Sequence, residues 1–118
     1  MENFINIKKA AGHNLRCFRF CNFNNLCTVI YADFTDKTLV HQDFTSNLVK
    51  TAFCRKAQPS WEDFMYFLEE RCIPRTRAGL REYLETIGIL EYDPVEIIKK
   101  TQGRMAEDHQ WLEIETII

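Results

Sequence analysis

The spacing of apolar and polar positions changes near residue 59. Before it, residues 14–44 run as NLRCFRFCN, NLCTVIYADF and KTLVHQDF, broken at 22–25 and at 35–37 by Asn, Asp, Thr and Lys. Phe, Val, Ile, Tyr and Thr suit a pleated, half-buried surface, and Asn and Asp tolerate the left-handed backbone of tight hairpins. The pattern predicts a three-stranded antiparallel meander at roughly 14–21, 26–34 and 38–44. The next stretch, TSNLVKTAFC at 45–54, fits either a short helix or a fourth edge strand ending at Phe53.

After residue 59 the period becomes helical. Ser60 followed by Asp63 is a capping pattern, and Trp61, Phe64, Met65, Leu68 and Cys72 fall on one helical face. Pro74 stops that helix, because the residue before a proline is driven out of the helical region. Thr76 is the expected cap of a second helix with the stripe Leu80, Tyr83, Leu84 and Ile87, closed by Gly88. Asp93-Pro94 opens a third, short helix carrying Val95, Ile97 and Ile98 and stopped by Gly103. The tail WLEIETII alternates weakly and fits a final strand. The expected class is α+β: a three- to four-stranded antiparallel sheet from the N-terminal half, packed against two to three helices from the C-terminal half. There is no repeat or linker, so residues 1–118 are expected to form one domain.

Composition narrows the options. A chain of 118 residues buries about two thirds of its unfolded surface, so it needs no disulfide or metal to fold. Five cysteines, an odd number, and the lack of an apolar leader in MENFINIKKAAGH point to a reducing, cytoplasmic setting without a membrane anchor. Residues 1–59 hold eight Lys and Arg against four acids, whereas residues 60–118 hold seven against thirteen. That asymmetry can steer a partner, but it falls short of the strongly basic balance of a nucleic-acid binder.

Two segments concentrate recognition chemistry. ERCIPRTRAGLRE at 69–81 holds Arg71, Arg75, Arg77 and Arg81, and guanidinium forks pair with carboxylate or phosphate. Arg77 and Arg81 are expected one turn apart on the second helix. The competing reading is an ion-pair lattice with Glu69, Glu70, Glu82 and Glu85. GRMAEDHQW at 103–111 gathers Arg104, Glu107, Asp108, His109 and Trp111, and Trp and Arg dominate protein–protein hot spots. Glu107, Asp108 and His109 lack the ligands from elsewhere that a divalent site wants, so a polar turn is the simpler reading.

No catalytic set stands out. Cys17 and Cys21 share a strand face, but their spacing is wider than a C-x-x-C half-site and no second pair follows, so they read as core thiols. His41 falls near Cys27 if the register of the third strand allows, though no catalytic signature surrounds either. The stripe Phe18, Phe20, Phe23 reads as core rather than a base-stacking platform, since only Arg16 and Arg19 accompany it. No catalytic, cofactor-binding or metal-ligating residue is assigned, and no cofactor is expected.

The words FLEERCIPRTR, YDPVEIIKKT and GRMAED resemble a segment of small proteins of unassigned function carried by phages and mobile elements of gut Firmicutes. The similarity covers about residues 53–114, and the helical half is also, more faintly, similar to a stretch in proteins associated with HipA-type kinases. The kinase elements are missing, so the resemblance implies no kinase activity. It implies a small non-enzymatic protein-binding module of the kind that inhibits a host defence effector, such as a CRISPR nuclease in the manner of anti-CRISPR proteins. The acidic helical half would then mimic nucleic-acid charge. Residues Arg71, Arg75, Arg77, Arg81, Arg104, Glu107, Asp108 and Trp111 would make the contact. The alternative is a nucleic-acid-binding regulator or toxin–antitoxin accessory protein.

Overall fold

The computed structural model describes residues 2–47, 50–54, 56–105 and 108–117. Its elements, in chain order, are α1 (Glu2–Ala10), β1 (Leu15–Asn22), β2 (Asn25–Asp33), β3 (Thr38–Asp43), α2 (Trp61–Glu70), α3 (Leu80–Thr86), α4 (Pro94–Thr101) and β4 (Gln110–Thr116). The four strands form one antiparallel sheet in the order β3-β2-β1-β4. The expected α+β class is the one observed, and the tail WLEIETII supplies the fourth strand, beside β1.

Register decides what the helices cover. Phe18 faces Ile30 on one side and Ile114 on the other, and Phe20 faces Thr28 and Leu112. These side chains share the face on which Phe64, Phe67 and Leu68 of α2 and Ile97 and Ile98 of α4 pack. Phe64 meets Phe18 edge-on at 5.1 Å and Phe67 meets Phe20 edge-on at 5.0 Å, the geometry that ring quadrupoles favour. Thr28 is fully buried among them because its hydroxyl is used twice: it donates to Asp43 Oδ1 (2.9 Å) and accepts the Ala52 N–H (3.1 Å).

The caps of α2 and α4 follow the sequence. Ser60 and Asp63 exchange side-chain and backbone bonds in a capping box, and Asp93 Oδ1 accepts the Val95 N–H ahead of Pro94. The start of α3 does not. Gly79 is the residue before that helix, with φ 75°, and a left-handed residue cannot sit inside a right-handed helix. Thr76 is therefore left in a turn, in which the Arg77 N–H reaches Pro74 O (3.1 Å), and it caps nothing. Arg77 lies outside α3 and shares no helical face with Arg81. Of the stretch 45–54, Lys50 lies in a 3-10 turn, its N–H reaching Asn47 O (3.0 Å), and 51–54 are bends and a turn, so no edge strand ends at Phe53; residues 48 and 49 lie outside the described residues.

Helix α1 was not expected from the sequence. None of its residues is fully buried; Phe4, Ile5 and Lys8 are half-buried. Ion pairs hold it. Lys8 Nζ lies 3.1 Å from Asp33 Oδ2 and 2.9 Å from Asp36 Oδ2, and His13 Nδ1 donates to Asp33 Oδ2 at 2.7 Å. Asp33 is fully buried. Burial pushes its carboxyl up, but bonds from His13, the Asp36 and Thr35 N–H groups and Lys8 outweigh that and hold it at about 2, below the ordinary 3.8. A carboxyl depressed in the fold stabilises fully above its unfolded value and loses that contribution as pH falls towards its folded one. Wild type is thus expected to lose stability between about pH 4 and about pH 2, with Asp33→Asn showing a shallower slope there. Chemical denaturation at stepped pH checks this; parallel slopes would remove Asp33 from the account.

Candidate functional site

Arg71 and the 103–111 loop, expected as two separate contact regions, meet in one structure. Arg71 follows α2 and is buried. Its Nε donates to Gly103 O (2.9 Å). Nη1 donates to Asp108 Oδ2 (2.9 Å) and Gln110 Oε1 (3.4 Å), and Nη2 to Asp108 Oδ1 (3.0 Å) and Gln110 O (3.0 Å). A guanidinium has five N–H donors, so none is left for a partner. Arg71 is an internal clamp rather than the contact residue expected from sequence. The hydrogen bonds it donates hold the Asp108 carboxyl below the usual range, and Asp108 Oδ1 also accepts the Gln110 N–H and so closes the turn into β4.

The clamp turns the other side chains of the loop outward. The Arg104 guanidinium lies 5.2 Å over the Trp111 ring. Trp111 Nε1 donates to Phe23 O (2.6 Å), and the Phe23 N–H donates to His109 O (2.8 Å). Phe23 stacks on His109 with centroids 4.1 Å apart and stands 57% exposed at the β1–β2 hairpin tip. It was expected in the core with Phe18 and Phe20. Its φ of 54° places it in the turn, where the strand alternation no longer governs which way the ring points. Phe23 and His109 are thus members of the site that sequence reasoning missed. Glu107, expected as a contact, lies outside the described residues.

A shallow hollow of about 340 Å³ runs between Phe23, Arg104, Met105 and Trp111. Met105 also lines a second hollow with Tyr66, Arg75 and Tyr92. There Arg75 lies 4.2 Å over the Tyr92 ring while pairing with Glu69 at 2.7 Å. Arg77 stands over Tyr83 (5.2 Å), and Arg81 is exposed on α3. The four arginines of 69–81 therefore do not form one cluster: one is inside, one is on the aromatic surface and two are on the α3 side. Cations are interleaved with the acids of the helical half, as in Lys56–Asp63, Arg75–Glu69 and Lys99–Glu96.

Gly103 lets the loop approach the clamp. Its φ is +62°, and an added Cβ would meet Leu112 Cδ1 at 3.1 Å and Arg71 Cβ at 3.3 Å. Both neighbours are held, so Gly103→Ala is expected to cost about 1–3 kcal/mol, more than Gly88→Ala, which meets nothing within 4 Å. Paired thermal melts check the order; equal losses would show that backbone conformation alone matters.

His41 faces Ile30 on the helix side and meets Phe53 edge-on, while Cys27 lies opposite Phe44, so the register keeps His41 and Cys27 apart. Burial pushes the Cys17 and Cys21 thiols up and carries Cys72 to about 12. Among the described residues, His13, Asp33 and Asp36 are spaced closely enough to ligate a metal ion. The Lys8 ammonium already lies between the two carboxylates, so the group reads as the ion-pair latch of α1. No described helix is long and apolar enough to cross a membrane. No family model, curated protein or solved structure matches the chain.

Proposed function

We propose that this protein is a non-enzymatic module that docks on another protein. The docking surface runs from Phe23, His109 and Trp111, through Arg104 and Met105, to Arg75 and Tyr92. The observation that carries the reading is continuity: Met105 lines both hollows and joins two arginine–aromatic stacks into one surface. Aromatic residues, Met and Arg are the types enriched at interface centres. The rigid clamp beneath, made by Arg71, lowers the ordering cost that a mobile loop would add on binding.

The finer reading is an inhibitor from a phage or mobile element, directed at a host defence effector such as a CRISPR nuclease. It is supported by the resemblance of residues 53–114. Five free thiols, four of them buried, suit a reducing cytoplasm.

The test is capture from a Firmicutes lysate, with and without nuclease, by wild type and by Phe23→Asn. Asn accepts a positive φ, and the bonds at Phe23 are made by its backbone, so this change removes the ring and spares the turn. One protein retained after nuclease treatment and lost with Phe23→Asn is the expected result. Recovery of nucleic acid, with partners lost on nuclease treatment, would move the assignment to the nucleic-acid regulator.

A further inference from the structure

We infer that the outer edge of β4 takes up an extended basic segment of the protein partner. The inference rests on the protein-binding reading and names the chemistry of the segment bound.

Backbone bonds fix which way each residue of β4 points. The Ile117 N–H reaches Leu15 O (2.9 Å) and His109 O accepts from Phe23, so the odd-numbered residues of this stretch face β1. Residues 110, 112, 114 and 116 therefore point their N–H and C=O groups away from the sheet. The fold satisfies the first of these. Gln110 N–H goes to Asp108, Gln110 O accepts from Arg71, and the Leu112 N–H reaches Gln102 O (2.7 Å). Beyond that point no described strand continues the ladder. Among the described residues, no hydrogen bond reaches the C=O of Leu112 and Ile114 or the N–H of Ile114 and Thr116.

An open edge pairs with any extended chain unless its side chains discourage it. Glu113 and Glu115 lie on the sheet face away from the helices, opposite Arg19 and Cys17. Two copies of β4 paired around Ile114 would set Glu113 against Glu115 twice, so self-pairing is opposed. The same acids select an opposite charge. Their own backbone groups face β1, so a residue set opposite either one on an added strand occupies a non-hydrogen-bonded position, where side chains lie closest. Glu115 already pairs with Arg19 at 2.7 Å, and Glu113 has no ion pair among the described residues. Between the two, Ile114 is half-buried on the helix side and matches an apolar neighbour. The segment that fits is basic–apolar–basic. The opposite edge differs: the β3 residues in the equivalent, sheet-bonded positions are Thr38, Val40 and Gln42, none of them charged.

The probe is a blocked heptapeptide in which lysine alternates with valine. Its controls are the same peptide with glutamate for lysine, and one N-methylated at the amides that would face β4. The readout is hydrogen exchange at individual amides together with affinity from titration. The lysine peptide is expected to slow exchange at Ile114 and Thr116, but not at Leu39 or His41. The glutamate peptide and the Glu113→Lys variant are expected to bind about tenfold more weakly. Thr116→Pro removes an outward N–H without breaking a bond to β1, and is expected to abolish binding along with N-methylation. Equal binding of the two charge types, or binding that survives Thr116→Pro or N-methylation, would overturn the inference. A captured partner lost with Phe23→Asn but kept with Thr116→Pro would overturn the edge alone and leave the docking surface standing. Peptide protection at β4 with no partner captured would do the reverse.

Discussion

Replacing Arg71 by methionine is expected to lower stability by about 3 kcal/mol, out of the roughly 5–15 kcal/mol typical of a domain. Methionine keeps most of the aliphatic stem, so the loss reports on the guanidinium. Without it, Gly103 O and Gln110 O lose their donor and the Asp108 carboxylate loses its counter-charge. The figure sits at the low end for breaking a buried pair because the Asp108 side chain is 35% exposed and regains water. For a chain of this length it corresponds to a fall in Tm of about 12 °C. Arg71→Lys should fall between, since an ammonium keeps the charge but cannot span Gly103, Asp108 and Gln110 at once. Thermal melts of both variants decide the matter. A Tm within about 2 °C of wild type would mean that the loop is held by β4 pairing and not by the clamp.

Trp111→Ala is expected to weaken the captured partner by about 2 kcal/mol or more, roughly thirtyfold in Kd. Two losses combine. The ring under Arg104 is gone, and with it the apolar floor between Phe23 and Met105. The Nε1 bond to Phe23 O, which ties the hairpin tip to the loop, is lost as well. Trp111→Phe separates the two: it keeps a ring under the guanidinium and removes only the donor, so it should recover most of the affinity. Calorimetric titration of the purified partner against the three proteins gives the result. If Trp111→Ala binds within twofold of wild type while remaining folded, the platform is not the contact.

What the sequence determined is local. Strand composition with Asn and Asp turns placed β1, β2 and β3 within a residue or two, and Ser60/Asp63 and Asp93-Pro94 placed the starts of α2 and α4. Each of these signals acts over a few neighbouring residues: a side chain capping its own helix, or a backbone angle set by one residue type. The start of α3 was misjudged because Thr76 has the chemistry of a cap, but Gly79 had the decisive backbone angle.

The candidate site was half legible. Arg104 and Trp111 were identified by residue type and do stand together at the surface. Arg71 was identified for the same reason and lies inside, because what an arginine does depends on which acceptors face it. Its acceptors come from Gly103, Asp108 and Gln110, more than thirty residues away, and reach it only when β4 joins the sheet beside β1. Helix α1 was invisible for a like reason, since Lys8 and His13 find Asp33 and Asp36 only across the folded sheet end. Burial and charge pairing between distant segments have no period and no local motif. The sequence by itself specified the strands, the caps and the kinds of side chain available for recognition. The tertiary structure decided which of those side chains became scaffold and which were left to meet a partner.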